Sequence, residues 1–87
     1  MQRLLDISEV AREKRRININ EMKNIILKLC EVSPLMLKEL AELLDRNEDG
    51  IRNNYLSILK EEGKIKLRYP GQINHPQQAY ITVTENE

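Results

Sequence analysis

The stretch whose reading decides the fold runs from Leu37 to Gly63, LKELAELLDRNEDGIRNNYLSILKEEG. Leu37, Leu40, Ala41 and Leu44 recur at i, i+3, i+4 and i+7, the apolar stripe of a 3.6-residue helix, which turns Lys38, Glu39 and Glu42 toward water. Asp45-Arg46-Asn47 breaks the stripe. Asn47 suits a helix N-cap, because its side-chain oxygen can satisfy one of the orphan amides that open a helix. Glu48 and Asp49 follow in the first turn, where the helix dipole favours negative charge. The second helix carries Ile51, Tyr55, Ile58 and Leu59 on its buried side, with Leu56 at the margin. Gly63 then supplies a left-handed residue past the last turn. Two short helices joined by a tight polar turn make a helix-turn-helix, and their stripes need a third helix and a cover.

The upstream sequence offers the third helix. Asn18 and Glu21 form an N-x-x-E capping box, with Ile17 and Met22 where a hydrophobic staple sits. Met22, Ile25, Ile26, Leu29 and Cys30 then repeat at helical spacing, which predicts a helix to about Glu31. Ser33-Pro34 ends it, since the residue before proline is pushed out of the α region. Leu35 to Leu37 is too short to stand alone and predicts an extended piece paired with the edge of a later hairpin. Earlier still, residues 1–17 read as an N-terminal linker or an extra helix. Leu4, Leu5, Ile7, Val10 and Ala11 are loosely helical, and Asp6 and Glu9 are spaced as a capping pair. So short an apolar segment is not stable in isolation; it docks on the domain, pairs with another chain or continues a helix from a preceding domain. Arg12, Lys14, Arg15 and Arg16 read as a solvated linker in preference to a phosphate-contacting arm.

Downstream of Gly63 the period changes. Lys64 to Tyr69 alternates polar and apolar residues, with Ile65 and Leu67 inward, the mark of a half-buried strand. The loop PGQINHPQ has no acidic residue and is rich in amides, and Gln78 to Thr84 resumes strand character. Helix, extended piece, helix, turn, helix, strand, loop, strand is the order of an α+β winged helix-turn-helix, three helices with a C-terminal hairpin wing. On this reading residues 18–84 form the domain and 85–87 a frayed tail.

The composition agrees with one small domain. The chain has 87 residues, zero formal net charge, a single cysteine and one histidine. Those last two counts exclude an intramolecular disulfide and a four-ligand protein zinc site, and predict no cofactor and no metal. No apolar run approaches the roughly 18 residues of a membrane span, and a reduced, cytoplasmic compartment is the expectation. Zero net charge argues against a polyanion binder over the whole surface. Residues 1–19 hold five basic and three acidic groups, residues 20–62 six and nine, residues 63–87 three and two. Any basic face therefore comes from the two ends of the chain.

Residues 22–82 resemble the C-terminal winged-helix domain of proteins that carry an N-terminal Schlafen/AlbA-like domain, many of them named ATP-dependent DNA helicase (RecG)-related proteins or transcriptional regulators. The resemblance rests on LKELAELL, Arg46, Arg52 with Tyr55, Leu56 and Leu59, Glu62-Gly63, and above all Arg68-Tyr69-Pro70 with Asn74-His75-Pro76 and Gln78-Ala79-Tyr80. Positions 53 and 54, often basic in that group, are Asn53 and Asn54 here, and Glu48 and Asp49 make the helix start acidic. The resemblance implies an accessory or regulatory domain of a longer protein, bound to double-stranded DNA and to the rest of its parent.

In such a module the second helix of the motif enters the major groove and the wing touches the backbone. Asn53 is then the residue to read an adenine edge, Arg52 and Lys60 hold phosphate, Ser57 lies on the same face, and Arg46 of the resembling motif is a further DNA-binding candidate. The alternative is a solvated helix face, since Glu48, Asp49 and Glu61 repel phosphate. Lys64, Lys66 and Arg68 alternate along the outer face of the first wing strand as a phosphate row or as edge-strand protection. Gln72, Asn74 and His75 at the tip face a partner, or His75 and Asn74 bond back to the loop and fix its shape, the preferred reading for His75. Catalysis has little support: Ser57 lacks a base, and Glu61-Glu62 and Glu48-Asp49 are adjacent helix carboxylates that do not converge on a substrate. Two functions remain, DNA binding without enzymatic activity, or a winged helix used for homodimerisation or docking against its own parent.

Overall fold

Asn18 opens the helix on which the rest packs, its Oδ1 accepting the Glu21 amide at 2.8 Å. That helix, α2, spans Ile19–Val32 in a computed structural model that describes residues 2–14 and 16–84. Met22, Ile25, Ile26, Leu29 and Cys30 are buried along it, as their spacing predicts. It stops at Ser33, extended at φ −162° and ψ 146° ahead of Pro34. After Pro34, Leu35 forms a strand fragment through its bridge to Tyr80.

Helix α3 spans Leu37–Leu44 and buries Leu40, Leu43 and Leu44, while Leu37 and Ala41 are half-buried. Its core face is thus turned toward Leu43, which the stripe drawn through Leu37 and Ala41 omits. Glu39 accepts the Met36 amide at 2.9 Å and closes the first turn. At the far end Asp45 is left-handed at φ 56°, and the Arg46 amide returns to the Ala41 carbonyl at 3.1 Å. Asn47 Oδ1 then accepts the amides of Asp49 and Gly50 at 2.8 and 3.2 Å, opening the next helix in the way its position predicts.

That helix, α4, is continuous through Glu48–Ile51, a π-helical turn Arg52–Leu56 and Ser57–Glu61. The π turn inserts one residue into the i, i+4 ladder, so the buried positions become Ile51, Leu56 and Leu59. Leu56, expected at the margin, is core, while Tyr55 and Ile58 are only half-buried. The Ser57 amide and its hydroxyl both donate to the Arg52 carbonyl, the hydroxyl at 2.9 Å, which stabilises the longer turn. Gly63, at φ 74°, ends the helix with the Lys64 amide bonded back to the Leu59 carbonyl at 2.9 Å.

The strands are shorter than the alternation suggests: β1 is Ile65–Leu67 and β2 is Tyr80–Thr82. They pair antiparallel with Ile65 opposite Thr82 and Leu67 opposite Tyr80. Arg68 to Ala79 and Val83 to Lys64, both 2.9 Å, extend the ladder by one bond at each end. Leu35 bridges the other side of Tyr80 through bonds of 3.2 and 2.8 Å, the extended piece that the sequence places there. Thr82 Oγ1 donates to the Leu27 carbonyl at 2.6 Å, which fastens the hairpin to α2.

The N-terminal segment is part of the domain rather than a linker. Helix α1, Gln2–Glu13, packs on α2 and α3, with Ser8 and Ala11 buried. Asp6 lies inside it, accepting from Gln2 Nε2, so the Asp6–Glu9 pair does not cap its start. Arg12 is no solvated charge. Its guanidinium donates to Ser8 Oγ, to the Leu5 carbonyl at 2.9 Å and to the Leu43 carbonyl at 3.2 Å. Arg15 and the tail 85–87 lie outside the described residues. Among the described residues the architecture is α+β, four helices against a two-stranded antiparallel hairpin. Full burial of Ile26, Leu29, Leu40, Leu44, Ile51 and Leu59 stabilises it by about 1.5–3 kcal/mol per side chain. Among the described residues no helix is long and apolar enough to cross a membrane.

Candidate nucleic-acid interface

The outer face of α4 and the hairpin carry most of the candidate residues. On the helix Arg52, Asn53, Ser57 and Lys60 are exposed, together with Asn54 and Glu61. Arg52 is held by Asp49 at 2.6 Å, a pair whose side chains are 50% and 75% exposed, so water screens it and it is cheap to break. The Ser57 hydroxyl gives its proton to the Arg52 carbonyl and retains only acceptor capacity toward a partner.

A cleft of about 170 Å³ separates this helix from the hairpin, with Arg52, Ser57 and Lys60 on one wall and Leu67, Ile73 and Tyr80 on the other. Lys64, Lys66 and Arg68 are exposed on the hairpin. Lys64 stands 3.8 Å from Glu62, whose carboxylate also takes Lys23 at 3.1 Å. Lys66 and Arg68 form no ion pair among the described residues. With period-2 spacing they lie on one side of the strand.

The loop joining the strands is stiffened from within. Gln78 acts as a piece of backbone: its Oε1 accepts the Tyr69 amide and its Nε2 donates to the carbonyls of Tyr69 and Gln72, each at 2.9 Å. His75 stacks on Tyr69 with ring centroids 3.8 Å apart and planes 11° from parallel. Its Nδ1 accepts the Gln77 amide at 2.9 Å, which places the neutral ring's proton on Nε2. His75 thus fixes the loop, as the preferred reading of the sequence has it, and Gln72 and Asn74 are left exposed. Gln78 is absent from the residues the sequence singles out as loop-shaping; an amide at the base of an amide-rich loop is the only local signal, and it is a weak one.

Arg46 stands apart from this face. It donates to the carbonyls of Leu44 at 2.9 Å, Asp45 at 3.2 Å and Lys14 at 2.7 Å, tying the end of α1 to the turn before α4. Most of its donors are spent on backbone. Elsewhere, burial pushes the Cys30 thiol up to about 12, so it stays protonated, and burial raises the Tyr80 hydroxyl with Arg52 opposing the shift. No group of three His, Cys, Asp or Glu side chains that can hold a metal occurs among the described residues. Compared with known proteins, the chain matches no family model, no curated protein and no solved structure.

Proposed function

We propose that this chain is a winged helix-turn-helix module that binds duplex DNA without catalysing a reaction. It serves as a C-terminal accessory or regulatory domain of a longer cytoplasmic protein of the RecG-related or transcriptional-regulator kind that its sequence resembles. The observation that supports this best is the position of Lys66 and Arg68, exposed and without an acidic partner among the described residues, on a hairpin that shares a cleft with the outer face of α4.

In this reading α4 enters the major groove. Asn53 offers the amide geometry that pairs with adenine N6 and N7, and Lys60 with Arg52 takes flanking phosphates. The stiff loop holds Gln72 and Asn74 in a fixed pose, which lowers the ordering cost of binding.

The experiment is a salt titration of duplex binding by fluorescence anisotropy. Affinity should fall steeply between about 50 and 200 mM salt. The double variant Lys66→Gln/Arg68→Gln should weaken binding on any sequence and reduce the salt slope by about two. A second reading, a winged helix used for contact with its parent or with a second copy, is favoured by Glu48, Asp49 and Glu61 on the same helix and by the zero net charge. Absence of duplex binding at low salt with a concentration-dependent dimer would establish that reading instead.

A further inference from the structure

A second, larger groove of about 470 Å³ lies between the start of α3 and the hairpin loop. Its lining includes Lys38, Arg52, Ile73, Asn74, His75 and Tyr80, and no aspartate or glutamate, although acidic and basic residues are equal in number over the whole chain. Its two long cations come from different helices, Lys38 from α3 and Arg52 from α4. Lys38 is exposed and forms no ion pair among the described residues. Arg52 and Ile73 also line the smaller cleft between α4 and the hairpin, so the two depressions meet at these side chains.

We infer that this groove seats a backbone phosphate of the duplex, gripped by Lys38 and Arg52, and that Asp49 competes with the phosphate for Arg52. The inference deepens the proposed function and rests on it. The acid-free lining supplies charge complementarity to a phosphate. Apolar side chains such as Ile73 suit the deoxyribose faces on either side of a phosphate. Asp49 holds Arg52 outside the ligand at 2.6 Å through an exposed pair, which exchanges for a phosphate at little cost because both partners are already solvated. Lys38 lies on neither the helix nor the hairpin that carries the other contacts. It would fix the angle at which the domain sits on the duplex.

The test uses the full chain and a fluorescein-labelled duplex, with circular dichroism to show that each variant is folded. Lys38→Gln should weaken binding and lower the salt slope by about one. Asp49→Asn should tighten binding several-fold, and the gain should vanish in Asp49→Asn/Arg52→Gln. If the unmodified chain binds and Lys66→Gln/Arg68→Gln weakens it, but Lys38→Gln leaves the slope unchanged or the Asp49→Asn gain survives without Arg52, the groove assignment falls and the DNA-binding function stands. Failure of the unmodified chain to bind duplex at about 50 mM salt, within the range where phosphate contacts are strong, overturns both. A polyglutamate peptide bound through Lys38 in place of duplex would assign the groove to a protein and likewise overturn the phosphate seat.

Discussion

Gln78 carries more of the hairpin's shape than any residue at the loop tip. Its amide satisfies both polar groups of Tyr69 and one of Gln72, so removal leaves three backbone partners to find water. Gln78→Ala should cost about 1–3 kcal/mol locally and speed hydrogen exchange at the Tyr69 amide while the α2 amides keep their protection; unchanged exchange at Tyr69 would refute the assignment. Cys30 makes a prediction of a different kind. Its folded value, about 12, stands above the ordinary 9.0, so the folded chain holds a proton that the unfolded chain releases. This contribution to stability is intact below pH 9.0 and is lost as pH rises toward about 12, with Tyr80 acting in the same direction. Denaturation midpoints across that alkaline window should fall, and Cys30→Ala should flatten the decline. The reading of Cys30 as an apolar filler needed only its place on the stripe. Gln78 needed coordinates, because a side chain that does the work of backbone depends on which strand lies opposite.

At the scale of the element, local signals were legible and insertions were not. Asn18, Asn47, Ser33-Pro34 and Gly63 mark their boundaries because capping and turn chemistry act within a few residues. The π turn in α4 has no such marker. It keeps the expected Ile51 and Leu59 in the core and puts Leu56 there in place of Tyr55 and Ile58, where the helix packs against α2, with Ser57 bonded to the Arg52 carbonyl. Ser57→Ala should cost about 0.5–1.5 kcal/mol, the net worth of one hydrogen bond, visible as a lower thermal midpoint. Gly63→Ala should cost about 1–2 kcal/mol through the left-handed backbone alone, since nothing stands within 4 Å of an added Cβ; a shifted denaturant midpoint with an unchanged slope would show it. The nature of α1 was open in the sequence because its charge run, REKRR, looks solvated until the carbonyls of Leu5 and Leu43 are found facing Arg12. Arg12→Ala should therefore release α1, with faster exchange there than in α2.

For the whole molecule, the order of elements was readable from a proline helix stop at Ser33-Pro34 and a change of period at Gly63, and the α+β arrangement follows from them. The candidate surface was readable only in part. Lys66 and Arg68 stand out by alternation, but the cleft that sets Lys60 beside Leu67 and Tyr80 of the hairpin, and the groove lined by both Lys38 and Arg52, arise from non-local contacts. Zero net charge hides such a local surplus, which is why composition alone pointed away from DNA. The central claim, that α4 and the hairpin together form a duplex-binding face, is tested most directly by amide chemical-shift mapping during titration with a short duplex at low salt. Shifts should concentrate at Asn53, Lys60, Lys66, Arg68 and Asn74 and spare the exposed side of α1. Shifts confined to α1 and the outer face of α2, or none at all, would contradict it.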